Sequence, residues 1–314
     1  MVATKKKSKK TVRKPKKKQR PWKTLIGFSL FFFTLGGLIV FLAIRTDKAI
    51  IPTGIDDAGS DSAVQYEEPF VTGGTGSGDR QGQSSQPEKQ LAELKARPLV
   101  AIIIDDMGHN RKTCQALLEL DLNLSFAFLP FGPYTEPQVD RARRLERDVL
   151  LHFPMEAVDA KWQPDGNTIT INMDRTAIRR IFNANLNGVP EAIGINNHMG
   201  SRFTQNSRAM GDFMALVRDR DLFFLDSRTS RNSVGESVAA KMGVKTNRRD
   251  VFLDNNRETQ AIVSQLRKLL DLADRQGRAI AIGHPYPETL KALKILRAEI
   301  KRRARVVGVG ELVL

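Results

Sequence analysis

The sequence predicts an α/β domain of seven or eight mainly parallel strands, preceded by one transmembrane helix and a disordered linker. Three observations predict it. From about residue 98 to the end, a short apolar run, a polar turn and an amphipathic stretch recur, the alternation expected of β/α units around a parallel sheet. Residues 24–44 form an uncharged stretch rich in Leu, Ile and Phe, long enough to cross ~30 Å of hydrocarbon as a helix. Residues 45–97 are rich in Gly, Ser, Gln, Asp and Pro and offer too little apolar surface to order themselves.

The first element is basic. Residues 1–23 hold twelve of the fifteen net positive charges and no acid, so the body of the chain is only mildly basic. Trp22 stands at the entrance to the apolar stretch as an interface anchor. That stretch is longer than the core of a cleaved signal, and no small-residue cleavage site follows near Ala43 and Ile44, so it reads as an uncleaved anchor. Twelve basic residues before the span outweigh Arg45 and Lys48 after it, which places the N-terminus in the cytoplasm. The expected location is the cytoplasmic membrane, crossed once, with residues 98–314 periplasmic or otherwise extracytoplasmic. The basic run lacks interleaved aromatics and lies against the membrane, so it reads as a topology signal touching anionic headgroups, and nucleic acid is not an expected partner. Cys114 is the single cysteine, which excludes an intramolecular disulfide.

Within residues 98–314, apolar runs predict strands at 99–104, 124–129, 148–153, 192–196, 222–225, 251–253, 279–282 and 306–309. Helical periodicity predicts helices at 111–120, 136–147, 175–186 with Asp174 as N-cap, 207–220, 258–276 and 287–303. This order suits a barrel, complete or not, and equally a doubly wound open sheet, because periodicity does not report closure.

Parallel α/β folds carry their chemistry at the carboxyl ends of strands. The polar residues here collect there. The strand ends read Asp105-Asp106-Met-Gly-His109, His152-Phe-Pro-Met-Glu156, Asn196-Asn197-His198-Met-Gly-Ser201-Arg202, Asp226-Ser-Arg228, Asp254-Asn255 and His284-Pro-Tyr286. All four histidines lie at or just beyond a strand end, which predicts a single rim where carboxylates and imidazoles suited to Zn²⁺ or another divalent metal converge. If strand geometry continues through them, Asp105 and Asp106 point to opposite faces.

As a set, Ile102-Ile-Ile-Asp-Asp-Met-Gly108, Leu150-Leu-His-Phe-Pro-Met-Glu156, Gly194-Ile-Asn-Asn-His-Met-Gly-Ser-Arg202, Phe224-Leu-Asp-Ser-Arg228 and Ile282-Gly-His-Pro-Tyr286 resemble the divergent branch of the polysaccharide deacetylase superfamily. The resemblance implies an irregular (β/α) barrel of about seven strands. It also implies metal-assisted removal of acetyl groups from an envelope polysaccharide or peptidoglycan, with zinc as the expected ion. By that likeness Asp105 is the base, Asp106 and His152 are metal ligands, and His284 is the general acid. The superfamily's His-x-x-x-His pair stands here as His152 and Glu156, so the second imidazole is assigned to His198 from the next strand end. A backbone N–H or Arg202 is the expected oxyanion stabiliser, a carboxylate such as Asp226 the group that holds His284 cationic, and Asp226, Glu156 and Tyr286 the expected substrate contacts, with Trp162 as a further stacking candidate. Two rivals stand beside this reading: a catalytically inactive envelope protein that binds glycan or protein, and a phosphoesterase using the same ligands.

Overall fold

Apolar strands and amphipathic helices alternate along the chain in a computed structural model that describes residues 96–159, 161 and 166–313. The predicted basic segment and transmembrane helix, nearly all of the linker, and Trp162 lie outside the described residues. Among the described residues, no helix is long and apolar enough to cross a membrane. The elements are β1 (Leu99–Met107), α1 (Arg111–Leu118), β2 (Ser125–Phe128), α2 (Thr135–Arg144), β3 (Val149–Met155), α3 (Arg175–Gly188), β4 (Gly194–Met199), α4 (Ser207–Arg218), β5 (Phe223–Asp226) and α5 (Gly235–Lys241). They continue with β6 (Thr246–Arg248), β7 (Val251–Phe252), α6 (Thr259–Gln276), β8 (Arg278–Gly283), α7 (Pro287–Arg303) and β9 (Arg305–Val306). Side chains close several helix starts: Asp174 accepts from Ala177 N at 2.7 Å, as its position predicts, and Asn110 and Asn206 cap α1 and α4 in the same way.

Every strand pairing is parallel, in the order β6-β5-β4-β3-β2-β1-β8-β7, with β9 added on β1. The two ends of that order are neighbours in the chain. β6 pairs with β5 and β7 pairs with β8, yet only Arg249 and Asp250 separate them. Three peptide units span at most ~11 Å, so the sheet must curl until its edges nearly meet across this segment. A doubly wound open sheet, which keeps its edges apart, is thereby overturned in favour of a curled sheet of (β/α)-barrel type. Helix α5 and strand β6 carry no clear periodic signal and go unpredicted. The predicted last strand, 306–309, pairs only at its start and then becomes a 3₁₀ turn at Val309–Leu312, where Asp148 Oδ2 accepts from Gly310 N at 2.8 Å.

Strand alternation sorts the core into two clusters. Val100, Ile102 and Ile104 of β1 face the helices, packing with a set that includes Phe153, Phe182 and Phe213, whose rings meet at 5.0–5.8 Å. Ala101 and Ile103 face the other way, toward Leu150, Leu225, Ile280, Ile282 and the C-terminal Val309 and Leu312. This second cluster fills the inside of the curl. Gly194 permits close contact there: a Cβ on it would lie 2.3 Å from the Phe223 ring. Gly194→Ala is therefore expected to destabilise the domain by about 1–3 kcal/mol, read as a lower midpoint in denaturant unfolding.

Candidate metal centre

The period of two that fills the interior also builds the site. Two residues beyond Ile103, Leu150 and Ile282 come Asp105, His152 and His284, and on β4 the same face carries Asn196 and then His198. Asp106 falls out of phase. Its φ of 54° lies in the left-handed region, and the β1–β2 register shifts between Ile104 and Met107. Asp tolerates that conformation better than most residues. The turn brings its carboxylate to the same side as that of Asp105, so the expectation of opposite faces is corrected: both carboxylates line one cleft of about 390 Å³. Gly108 follows at φ 105°, where a Cβ would strike Thr135 Oγ1 at 2.2 Å.

Three side chains from three strands converge in that cleft. Asp106 Oδ1 lies 3.2 Å from His152 Nε2 and 3.0 Å from His198 Nδ1, and the two ring nitrogens are 3.1 Å apart. Atoms that each bind one ion at ~2 Å with tetrahedral angles stand ~3.3 Å apart, so this spacing fits a shared cation. The buried Asp106 Oδ1 has no hydrogen-bond partner, which leaves a charged oxygen aimed at the point where two imidazoles meet. The tautomer of His152 agrees. Asn196, fully buried, donates from Nδ2 to Asp105 Oδ1 at 2.7 Å and to Ser227 Oγ at 3.2 Å, so its Oδ1 faces His152 Nδ1 at 2.9 Å and receives that N–H. Nε2 is thereby turned toward Asp106 and His198, the outer-partner arrangement that fixes histidine ligands. Burial works against the charged forms here. The close approach and charges of His152 and His198 nevertheless hold the Asp106 carboxyl far below the usual range, while Asp105 and Asp106 push the His152 imidazolium up to about 9. A donor set of one carboxylate and two imidazoles with this spacing fits a divalent first-row cation.

A sequence model of the family described as divergent polysaccharide deacetylase matches residues 102–313. The chain belongs to that family. An uncharacterized protein of Haemophilus influenzae is 35% identical over 217 residues, covering 69% of this chain and 77% of its own. The uncharacterized protein YibQ of Escherichia coli is 37% identical over 195 residues, and that match spans 62% of this chain and 61% of YibQ, less than two thirds of its length. Among solved structures, the uncharacterized protein ATU2773 of Agrobacterium tumefaciens superposes with a TM-score of 0.65 at 24% identity, covering 69% of this chain and 89% of that one, and shares the fold.

Other residues of the chain fall unevenly around the cluster. His284 lies at its edge, with Nε2 3.9 Å from Asp106 Oδ2, and Tyr286 stacks on it at 5.5 Å between centroids. The carboxylate that holds His284 is Asp254, not Asp226: Nδ1 donates to Asp254 Oδ1 at 2.9 Å, and Oδ2 accepts from His284 N and Thr289 Oγ1. Burial depresses the His284 pKa, and the Asp254 bond together with the charges of Asp105, Asp254 and Asp106 more than reverses that. Asp226 is fully buried, and its oxygens accept from Arg228 N, Ser233 Oγ and Glu236 N, which leaves none for a substrate. Arg202 does not line the cleft. It pairs with Glu156 at 3.5 Å beside a separate depression, so it is not placed to stabilise an oxyanion at the cluster. Glu156 also accepts from Ile171 N at 2.8 Å and lines an adjoining groove that meets the cleft at His198 and Met199. His109 lines that groove too, so three of the four histidines, not all four, line the cleft.

Sequence reasoning passed over Asp254 and Asn196 as partners. Asp254 had a readable signal, a carboxylate just past an apolar run, but pairing it with His284 requires knowing that β7 and β8 are neighbours. Asn196→Ala would leave Asp105 and His152 without their shared partner. A loss of about 1–3 kcal/mol per stranded buried group and about 10–100-fold in metal affinity is expected, checked by thermal unfolding and metal titration.

Proposed function

We propose that this chain is a metal-dependent hydrolase of the carbohydrate deacetylase type, acting on an acetylated envelope polysaccharide or peptidoglycan fragment from the outer face of the cytoplasmic membrane. The observation that carries the reading is the convergence of Asp106 Oδ1, His152 Nε2 and His198 Nδ1 within 3.2 Å of one another around an orphaned carboxylate oxygen. Family membership and the apolar stretch at residues 24–44 support the substrate class and the anchoring.

A divalent cation held by those three groups, zinc above all, supplies Lewis acidity that lowers the pKa of a water toward ~7 and polarises an acyl oxygen. The chain's own residues do the rest. Asp105, buried and 3.7 Å from His152 Nε2, is placed to take a proton from the attacking water. Burial raises its pKa and the charges of His152 and His284 oppose that, which moves the group toward the range where a base works near neutrality. His284 presents Nε2 to the cleft with its other nitrogen fixed on Asp254, the arrangement of an acid that protonates a departing amine. The deacetylase reading is favoured over the inactive binding module because His198 fills the ligand position left by Glu156.

The test is acetate release from acetylated glycan fragments after chelation and after metal is restored. Asp105→Asn is expected to lower the restored rate by about 10²–10⁴-fold while metal content is kept. Equal acetate release by wild type and variant would remove the assigned base, and turnover of phosphate esters in place of acetylated sugars would turn the reading toward a phosphoesterase.

A further inference from the structure

The cleft has a second chemical feature that the acyl-transfer machinery does not use. Arg249 sits where the two edges of the sheet approach, and its guanidinium is fixed by two carbonyls: Nε donates to Ser227 O at 2.8 Å and Nη2 to Arg228 O at 3.0 Å. Its plane lies over Phe252, with 4.8 Å from Cζ to the ring centroid. Those bonds leave Nη1 over, on a side chain that lines the metal cleft. Arg257 lines the same cleft, 4.0 Å over the Tyr286 ring and donating to Tyr286 Oη at 2.9 Å. Tyr286 in turn stacks on His284, so this second guanidinium stands one ring away from the proposed acid.

Neither guanidinium has a carboxylate within 4.0 Å among the described residues. The carboxylates of the cleft are engaged elsewhere: Asp254 with His284 and Thr289, Asp105 with Asn196, Asp106 with the two ligand histidines. The burial of Arg249 is only partly offset by the more distant charges of Asp105, Asp226 and Asp250, and that cost is relieved when an anion enters. The preorganised fork of arginine suits a carboxylate.

We propose that Arg249 and Arg257 form an anion-binding wall, and that the saccharide taken by this site bears a carboxylate close to its acetylated nitrogen. The wall selects among substrates and takes no part in bond breaking. For the rest of the ligand it rests on the hydrolase reading.

The experiment compares two forms of one ligand, the disaccharide of N-acetylglucosamine and N-acetylmuramic acid with its lactyl carboxylate free or blocked as the methyl amide. Binding to the full chain, zinc-loaded in detergent, is read by calorimetry, and acetate release is read separately. The free acid is expected to bind about tenfold tighter than the amide. The preference should shrink in high salt, fall in Arg257→Gln, whose side chain is exposed at the rim, and vanish in Arg249→Gln/Arg257→Gln with zinc content retained. Equal binding of the two forms, or a preference that survives the double substitution, would overturn the wall. A charge preference without acetate release from either form would sink the hydrolase reading and leave the wall standing. Acetate release with no charge preference would do the reverse.

Discussion

Asp106→Asn is expected to lose bound zinc, with affinity falling by more than ~100-fold, beyond what removal of an outer-shell partner costs. The substitution isolates charge from shape. Asn accepts a left-handed backbone as readily as Asp, so the φ of 54° at this position is retained and the fold is not put at risk. What changes is the buried Oδ1, which has no hydrogen-bond partner in the protein and faces both imidazoles. An amide oxygen there carries no net charge, and its NH₂ group turns donors toward ring nitrogens whose lone pairs are needed. Metal analysis of the purified chain reads the result directly. A second measurement is the zinc-dependent rise in melting temperature, which at a thousandfold excess over Kd corresponds to ~4 kcal/mol in wild type and should be absent in the variant. Stoichiometric zinc in Asp106→Asn, with the same thermal response, would remove this carboxylate from the ligand set. The acetate-release reading would then lose its main support.

Much of the site was legible because strand alternation is a sequence property. The apolar residues Ile103, Leu150 and Ile282 announce an inward face, and the titratable residues two positions on must share it. Asp105, His152, His198 and His284 are legible as titratable residues at strand ends, and alternation is the reason they share one face. Three things escaped for different reasons. That Asp105 and Asp106 line the same cleft depends on a left-handed residue and a register slip, neither of which follows from a strand pattern, whereas the place of Asp106 among the ligands came with the resemblance. The Asp254–His284 pair depends on which strands are neighbours, and the chain order of strands does not give their order in the sheet. Arg202 sits beside a strong motif but turns outward to Glu156, because after Met199 (φ 52°) and Gly200 (φ 82°) the chain leaves the strand and side-chain alternation stops. The same limit applies to closure: every strand but β6 is visible in the sequence, but the curl is set by the few residues at 246–252 that pair with both edges.

Asp254→Asn is expected to cut deacetylation of an N-acetylated sugar by about 10²–10⁴-fold, the usual worth of a positioned acid or base, with zinc content unchanged. The aspartate is fully buried, and it fixes His284 through both a side-chain and a backbone contact while accepting from Thr289 Oγ1 at 2.8 Å. Asn preserves the volume and one acceptor. It removes the charge of Asp254 that favours the imidazolium, leaving only Asp105 and Asp106 to oppose burial, so the ring holds its proton less well in the ground state. The consequence depends on the leaving group. An amine leaves only when protonated, so the loss on the N-acetyl substrate should be large. A nitrophenolate leaves without help, so 4-nitrophenyl acetate should be hydrolysed by Asp254→Asn at a rate within a few-fold of wild type. His284→Ala should repeat the pattern. Equal losses on both substrates would mean that the dyad serves the architecture of the cleft and donates no proton. That outcome would return the acid to some other group lining the same wall, of which Tyr286, hydrogen-bonded to Arg257, is the nearest.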